Sequence, residues 1–219
     1  MLALFPVPYS AHVTNLLVAL IAYFIGSIPT GFLMAKMRGV DIRSVGSGNI
    51  GATNVFRILG KGPGIAVLLI DALKGFLPAK FLPALFLHGA SMSSPRYQYL
   101  ALIAGVFAIL GHNYTCWLRF KGGKGVATTA GVLIAWVPLA FLIALGSWLL
   151  VFGVSRYVSL ASIVAAVVLP FAVWGTDGRK FMIYIATMLS LLAIFKHRSN
   201  IQRLIAGTEN QIGKKKVQQ

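Results

Sequence analysis

A glycine-rich polar segment, GSGNIGATNVFR at positions 46–57, has the composition of a binding site for an anionic group. Its glycines let backbone N–H groups turn toward an anion without interference from a Cβ atom. Hydroxyl and amide side chains add neutral donors, a planar guanidinium can bind phosphate oxygens in pairs, and a helix starting soon afterwards would direct its N-terminus here. We therefore predict a phosphate cradle formed by Gly46, Ser47, Gly48, Asn49, Gly51, Thr53, Asn54 and Arg57.

The same segment also fits the G-x-G-x-x-G pattern of dinucleotide-binding folds, with Asp71 about twenty residues beyond it. That pattern requires a preceding β-strand and a βαβ unit, whereas Asp71 lies inside an apolar run. We therefore reject a dinucleotide site. A flexible glycine hinge is the remaining alternative, although a hinge has no need of Arg57 and two asparagines.

A second glycine-rich segment, RFKGGKGVATT at positions 119–129, carries a lysine on a glycine turn. Such a lysine, at the predicted start of a helix, can bind a second anion. The segment is not a Walker A motif, because a glycine occupies the position where Ser or Thr should follow the lysine. The alternative is a simple cationic anchor at the end of a membrane span. The candidate binding residues are Gly122, Gly123, Lys124, Gly125 and Thr128.

A third polar segment, KHRSNIQRLIAGTE at positions 196–209, follows the last apolar stretch. If this segment is helical, Lys196, Asn200 and Arg203 share one side at positions i, i+4 and i+7. His197 could donate a hydrogen bond to a phosphate or shuttle a proton, and we favour the donor role.

Few acids accompany these basic segments. Glu209 is the single acid within the third one, and we expect it to pair with Arg or Lys and hold the site together, with a general base as the alternative. Asp71 and Lys74 stand at i and i+3 in an apolar run, where they can pair, either for structure or for contact with substrate. His112 precedes the second glycine segment and is a further candidate for the same cavity.

The composition places most of the chain in lipid. Of 219 residues, 58% are hydrophobic and 11% charged, against about 25% charged in soluble proteins. Twenty Lys and Arg residues face four acids, which suits anionic headgroups or an anionic substrate. Nucleic acid is disfavoured, since the cations flank apolar runs. The acids do not cluster and there is one cysteine, so we predict no metal, no cofactor and no intrachain disulfide.

Apolar stretches of spanning length occur at 13–35, 64–87, 98–118, 157–174 and 181–195. Between the third and fourth of these, residues 125–152 are long for one crossing and short for two. Pro138 suggests a break there, although the sequence leaves open whether two short helices or one bent helix results.

The distribution of Lys and Arg favours seven spans over six. With seven spans and the N-terminus outside, 15 of the 20 basic residues face the cytoplasm, in agreement with the positive-inside rule. We therefore predict an all-α polytopic membrane protein with a cytoplasmic C-terminus. Residues 1–219 form a single transmembrane domain, with cytoplasmic motif loops at 36–62, 119–125 and 196–210 and a basic tail at 211–219.

The segments GSGNIGATNVFR (46–57), GGKGVATT (122–129) and HRSNIQRLIAGTE (197–209) resemble the motifs of the bacterial acyl-phosphate glycerol-3-phosphate acyltransferases, the PlsY family. The resemblance covers nearly the whole chain and is specific because three motifs occur in order. It implies a seven-span inner-membrane enzyme whose active site faces the cytoplasm. Such an enzyme moves a fatty acyl group from acyl phosphate to the 1-hydroxyl of sn-glycerol 3-phosphate, giving lysophosphatidic acid and phosphate in the first acylation of phospholipid synthesis.

The resemblance also implies roles for individual residues. Ser47, Asn49 and Arg57 would hold the acyl-phosphate group, and Lys124 with its neighbouring glycines would shape the glycerol-phosphate site. His197 and Asn200 would complete the pocket, so that the catalytic residues are Ser47, Arg57, His197 and Asn200. The family is thought to use no protein nucleophile and no cofactor, and the soluble enzyme that makes acyl phosphate is a candidate partner.

Two other functions fit the residues alone. A transporter for organic phosphates would also place polar loops around a cavity between helices, but it would move substrate without forming a covalent product. A transferase acting on a polyprenyl phosphate would normally need acidic metal ligands, which the sequence does not cluster.

Overall fold

The computed structural model describes residues 9–213, and these residues form helices and connecting turns without a β-strand. The prediction of an all-α protein is therefore confirmed. The basic residues 214–216 of the predicted tail lie outside the described residues. Within the described part, the α-helices are α1 (Tyr9–Ser27), α2 (Thr30–Lys36), α3 (Ala52–Leu59), α4 (Lys61–Phe81), α5 (Pro95–Asn113), α6 (Val126–Trp136), α7 (Pro138–Ser155), α8 (Val158–Thr176), α9 (Lys180–Lys196) and α10 (Arg198–Ile205).

Several of these helices have the length and composition of membrane spans. Four segments in the described residues qualify, and the bent pair formed by α9 and α10 gives a fifth; the four are Ala11–Lys36, Pro95–Leu118, Pro138–Ser155 and Val158–Thr176. The multi-pass membrane protein is confirmed. The count of seven and the orientation stay predictions, since α4 carries buried charges and α6 has only 11 residues.

The stretch 125–152 forms two helices separated at Val137, so the predicted break at Pro138 is confirmed. Proline suits the first turn of a helix, where its missing N–H would have no partner. It also pushes the residue before it out of the helical region, and Val137 accordingly has φ −142° and ψ 66°. The chain divides into two compact units at this break, one ending at Trp136 and the other starting at Val137. A single domain over residues 1–219 stays a prediction.

In the first unit, glycines allow helix backbones to touch. A Cβ atom on Gly26 of α1 would overlap the carbonyl oxygen of Ala108 on α5, and one on Gly111 of α5 would overlap that of Tyr23 on α1. Helices α4 and α6 meet in the same way. Lipid gives no hydrophobic drive for helix association, so close van der Waals packing at small residues is what stabilises such pairs.

A hydrophobic cluster in the first unit contains residues of the first glycine-rich segment and the residue that directly precedes the second. It contains Ala35 of α2, Ile42 and Ile50 from the loop that follows, Val55 of α3, Val67 of α4 and Leu118. Leu118 ends a 3₁₀ helix, Cys116–Leu118, directly before the second glycine-rich segment. Ile50 and Val55 of segment 46–57 therefore share a core with Leu118, the residue directly before segment 119–129, and the placement of both segments on one face stays a prediction.

In the second unit, α8 packs against both α7 and α9. Trp148 of α7 donates a hydrogen bond from Nε1 to Ser162 of α8 at 3.1 Å, and its ring stacks on Phe152. The chain after α10 returns to the α7–α8 turn, where the side chain of Gln211 donates to the carbonyl of Ser155 at 3.2 Å. The C-terminal segment is thus fixed to the end of α7.

The α4–α6 interface predicts a specific sensitivity at Gly131, whose added Cβ would overlap the backbone carbonyl oxygen of Ala72. A backbone atom cannot swing away, so Gly131→Ala should lower the free energy of unfolding by about 1–3 kcal/mol. Gly146 of α7 is the matched control, because its added Cβ meets nothing within 4 Å. Thermal unfolding in detergent should show a lower Tm for Gly131→Ala and an unchanged or higher Tm for Gly146→Ala. Equal melting of the two variants would contradict the packing described.

Candidate functional site

The loop that carries Ser47 is folded around the side chain of Asn54, which is 1% exposed. Its amide nitrogen donates to the carbonyls of Ile42 at 3.1 Å and Val45 at 3.0 Å, and its Oδ1 accepts the N–H of Ser47 at 2.9 Å. The sequence placed Asn54 among the substrate-binding residues. The structure adds a role in folding the loop, which sequence reasoning missed because the bonds span up to 12 positions.

Three backbone N–H groups of the segment 46–51 bind within the loop itself. Those of Ser47 and Gly51 bind the side-chain oxygens of Asn54 and Asn49, and that of Gly48 binds the carbonyl of Val45. The positive φ angles of Gly46 and Gly48, 62° and 69°, make this tight path possible. Gly46 and Gly48 therefore make the turn possible, and the N–H groups of Gly48 and Gly51 are engaged within the loop, while binding of an anion by this segment stays a prediction.

A short helix begins inside the motif, which differs from the expected approach of a membrane helix. Helix α3 starts at Ala52, so the N–H groups of Ala52 and Thr53 precede its first internal hydrogen bond and point out of its N-terminus. Thr53 and Arg57 are thus helical residues. Helix α4, the long one, begins only after Gly60, where φ is 92°.

Two arginines near this loop have different surroundings. Arg57 is half-buried, and its Nη1 approaches Oδ1 of Asn54 at 3.4 Å. Arg43 is exposed and forms an ion pair with Asp41 at 2.7 Å, which lowers the pKa of the Asp41 carboxyl to about 2. Arg43 also lies over the ring of Phe32, with its Cζ 4.8 Å from the ring centroid. Arg43 therefore anchors the start of the loop.

The second glycine-rich segment packs tightly against the end of α5. The N–H of Gly123 donates to the carbonyl of His112 at 3.0 Å, and that of Gly122 donates to the carbonyl of Asn113 at 3.3 Å. A Cβ on either glycine would overlap His112. These two glycines are needed for close approach, and their amides are engaged by protein carbonyls.

The residues that follow continue this contact. Gly125 has φ 79° and lies against the amide of Asn113, and α6 begins at the next residue. Lys124 is half-buried and stands between Gly123, which contacts His112, and Gly125, which contacts Asn113. Thr128 is fully buried, and an added Cβ on Gly75 of α4 would overlap its carbonyl oxygen. A contact between Thr128 and substrate stays a prediction.

A buried ionic cluster lies beside this segment. Lys74 Nζ is 2.7 Å from Asp71 Oδ1, so the pairing expected from their i, i+3 spacing is confirmed. Lys74 also donates to the carbonyl of Ile28 at 2.7 Å. His112 Nδ1 lies 3.8 Å from the same carboxylate oxygen, a neighbour that the sequence did not reveal because 41 positions separate the two residues.

In the second unit, Glu209 is the centre of a hydrogen-bond network. Its carboxylate accepts from Ser159 Oγ at 3.1 Å, from Asn200 Nδ2 at 2.8 Å and from Arg203 Nε at 2.7 Å. The cation expected to pair with this acid is thus Arg203. Ser159 was missed, since nothing in the apolar start of α8 distinguishes it from other small residues.

The segment 196–209 is not one continuous helix, because the chain bends at His197, so the condition for Lys196, Asn200 and Arg203 to share one side is not met. Helix α9 ends at Lys196, α10 begins at Arg198, and the two are bent by 57°. His197 is buried at the bend, and its Nδ1 lies 2.8 Å from the carbonyl oxygen of Ala193. Because a carbonyl only accepts, Nδ1 must carry the proton.

The structure therefore assembles the predicted residues in two groups. Segments 46–57 and 119–129 both belong to the first unit, where Ile50 and Val55 share a cluster with Leu118, and His197, Asn200 and Glu209 come together in the second. That both groups form one site stays a prediction. Among the described residues, no three His, Cys, Asp or Glu side chains group as metal ligands would.

Replacing Asn54 tests the loop. Asn54→Ala removes the donor to the carbonyls of Ile42 and Val45 and the acceptor of the Ser47 N–H, at a cost of about 1–3 kcal/mol per unsatisfied group. We expect a lower Tm and faster trypsin cleavage after the exposed Arg43. Ser44→Ala is the control, since it removes only an exposed hydrogen bond to Asp41. Cleavage at the same rate in both variants would show that Asn54 does not hold the loop.

Replacing Glu209 tests the network of the second unit. Glu209→Gln keeps the shape of the side chain but removes the charge beside Arg203, at a cost of about 1.5–3 kcal/mol. We expect faster hydrogen exchange across residues 198–213. Asp177→Asn, which removes a similar pair with the more exposed Arg179, should leave that exchange unchanged. Wild-type exchange in Glu209→Gln would contradict the assigned role.

Comparison with known proteins places these features in one family. The family model described as glycerol-3-phosphate acyltransferase matches residues 16–207. The glycerol-3-phosphate acyltransferase of Geotalea daltonii is 49% identical over 189 residues, covering 86% of this chain and 93% of the relative. That of Geobacter sulfurreducens is 45% identical over 197 residues, covering 90% and 97%.

Solved structures agree. The crystal structure of PlsY (YgiH), an integral membrane glycerol 3-phosphate acyltransferase in its glycerol 3-phosphate form, matches with a TM-score of 0.81 and 42% identity over 91% of this chain and 96% of that one. Its lysophosphatidic acid form matches with a TM-score of 0.78 and 41% identity over 91% and 95%. The resemblance of the three motifs is thereby confirmed over nearly the whole chain, and this multi-pass membrane protein belongs to the glycerol-3-phosphate acyltransferase family.

Proposed function

We propose that this protein transfers a fatty acyl group from acyl phosphate to the sn-1 hydroxyl of glycerol 3-phosphate, releasing lysophosphatidic acid and inorganic phosphate. Family membership supports the acceptor, because a relative of 42% identity has been solved with glycerol 3-phosphate and a second structure is described as its lysophosphatidic acid form. The identity of the acyl donor, acyl phosphate, is what this proposal adds to family membership. It is supported by the motif resemblance and by candidate residues whose hydrogen-bond donors suit two phosphate groups.

The observation that supports the proposal is the hydrophobic cluster that links Ile50 and Val55 of segment 46–57 to Leu118, the residue directly before segment 119–129. Ser47 and Arg57 flank Ile50 and Val55 in the sequence, and Lys124 lies on the segment that follows Leu118. Ser47, Asn49 and Arg57 hold the phosphate of the acyl donor. Lys124 holds the phosphate of the acceptor, within a pocket shaped by its neighbouring glycines.

The motif resemblance also assigns His197 and Asn200 to the catalytic residues. Since Nδ1 of His197 donates to Ala193, a neutral ring presents a lone pair at Nε2. For His197 to donate a hydrogen bond to a phosphate, the ring must therefore be the cationic imidazolium, a state that a nearby phosphate dianion stabilises. Asn200 is oriented by Glu209, which also binds Arg203.

The reaction needs no covalent acyl-enzyme. The 1-hydroxyl oxygen attacks the acyl carbonyl carbon, the bond from that carbon to the phosphate oxygen breaks, and phosphate leaves with the electron pair. The hydroxyl proton passes to a substrate phosphate, which serves as the base. The protein contributes orientation and cationic stabilisation of the leaving phosphate.

The proposed location is the inner membrane, with the site on the cytoplasmic face. The support is the charge distribution, since 15 of 20 basic residues fall in the segments predicted to be cytoplasmic. A soluble enzyme that makes acyl phosphate would reach the donor site from that side.

Acyl transfer by the purified, detergent-solubilised protein tests this function. Palmitoyl phosphate and radiolabelled glycerol 3-phosphate should give labelled lysophosphatidic acid with EDTA present, whereas palmitoyl-CoA should give none. Arg57→Ala and Lys124→Ala each remove a charged donor and should lower turnover by about 10²–10³-fold. Lys61→Ala, which removes an exposed lysine at the start of α4, is the control and should stay active.

Two results would contradict the proposal. Full activity in Arg57→Ala would show that Arg57 does not bind the phosphate of the acyl donor. Transfer from palmitoyl-CoA as fast as from palmitoyl phosphate would show that acyl phosphate is not the specific acyl donor. If folded protein made no product from either donor, glycerol 3-phosphate flux in sealed vesicles would test the transporter alternative.

A further inference from the structure

The buried cluster of Asp71, Lys74 and His112 lies outside the phosphate-binding residues assigned above. The side chains of Asp71 and Lys74 are 2% and 5% exposed, and that of His112 is 5% exposed. Ionisable side chains at membrane depth are costly, so they are retained where they serve function or pairing. Asp71 and Lys74 pair with each other, and His112 lies between this pair and the second glycine-rich segment.

The imidazole of His112 lies between the buried carboxylate and the second glycine-rich segment. Its Nδ1 faces Asp71 Oδ1 at 3.8 Å, and a Cβ added to Gly123 would overlap its Nε2. The carbonyl of His112 also accepts the N–H of Gly123 at 3.0 Å. Both the ring and the backbone of His112 thus contact the residue directly before Lys124.

The carboxylate is itself held in place. Lys74 binds Asp71 and, through the same Nζ, the carbonyl of Ile28 at the break between α1 and α2. Asp71 therefore cannot move without disturbing α1, α4 and the imidazole together. The ring therefore lies between the carboxylate, at ion-pair distance but beyond hydrogen-bond distance, and the backbone of Gly123, which it contacts directly.

We infer that His112 is a positioning residue for Lys124: the Asp71 carboxylate orients the imidazole, and the imidazole fixes the Gly122–Gly125 turn so that Lys124 meets the phosphate of the acceptor. This rests on the proposed function, which assigns that phosphate to Lys124. His112 touches neither substrate. Its loss therefore acts through Lys124 and affects the acceptor rather than the donor.

The test separates positioning from stability by the kinetic constant that changes. His112→Ala should raise the KM for glycerol 3-phosphate by about tenfold to 10²-fold and leave the KM for acyl phosphate within about twofold, since small displacements of a binding group cost this much. A purely structural role would lower the active fraction, and so kcat, with both KM values unchanged. His88→Ala, which replaces an exposed histidine, is the control.

A double-mutant cycle shows whether His112 acts through Lys124. In the Lys124→Ala background, His112→Ala should cause no further rise in the KM for glycerol 3-phosphate, because the group that it positions is gone. Independent, multiplying effects on that KM would overturn the inference. If His112→Ala does not fold, His112→Gln and Gly123→Ala, which displace the ring or the turn, replace it in the same cycle.

Equilibrium binding of glycerol 3-phosphate by calorimetry keeps this inference distinct from the proposed function. Wild-type protein that binds glycerol 3-phosphate but transfers no acyl group would refute the proposed function, while a weaker Kd in His112→Ala would still support positioning. An unchanged Kd in His112→Ala would overturn the inference even if transfer is normal in the wild type. Absence of binding to the wild type would overturn both.

Discussion

Direct contact between backbones at glycine positions is the constraint on which the first unit depends. Gly26 and Gly111 bring α1 against α5, and Gly75 and Gly131 bring α4 against α6. In lipid, where apolar side chains gain nothing by leaving the solvent, such close contacts supply van der Waals packing that stabilises the helix pairs. They also fix where each helix ends relative to the helix packed against it, and the polar segments follow these helix ends.

The same kind of contact shapes the candidate site. Gly122 and Gly123 touch the end of α5, and their N–H groups are engaged by the carbonyls of Asn113 and His112. In the first motif, Asn54 engages the N–H of Ser47. Because the backbone donors are largely occupied, the proposed phosphate binding falls to side chains and to the start of α3.

Side-chain cations on two separate segments suit two separate anions. Arg57 on α3 and Lys124 on the turn before α6 each provide one permanent positive charge, and neither substrate need leave before the other binds. The central claim of the proposed mechanism is therefore that both phosphorylated substrates are held at the same time and the acyl group passes directly between them.

The sequence predicts well whatever depends on local pattern. Composition indicates the helical membrane fold, Pro138 indicates the break at Val137, and the i, i+3 spacing of Asp71 and Lys74 indicates their ion pair. It does not predict contacts between distant positions, such as that of His112 with Asp71 or that of Ser159 with Glu209. It also missed the start of α3 within the motif and the end of α9 before His197, because the polar residues there are compatible with either a helix or a loop.

The most direct test of simultaneous binding is an initial-rate study of the purified protein in which palmitoyl phosphate and glycerol 3-phosphate are varied together. Direct transfer in a ternary complex predicts double-reciprocal lines that intersect. It also predicts no phosphate release from palmitoyl phosphate at single-turnover concentrations when the acceptor is absent. Parallel lines, with a burst of phosphate and an acyl group bound to the protein, would reveal a covalent intermediate and contradict the account.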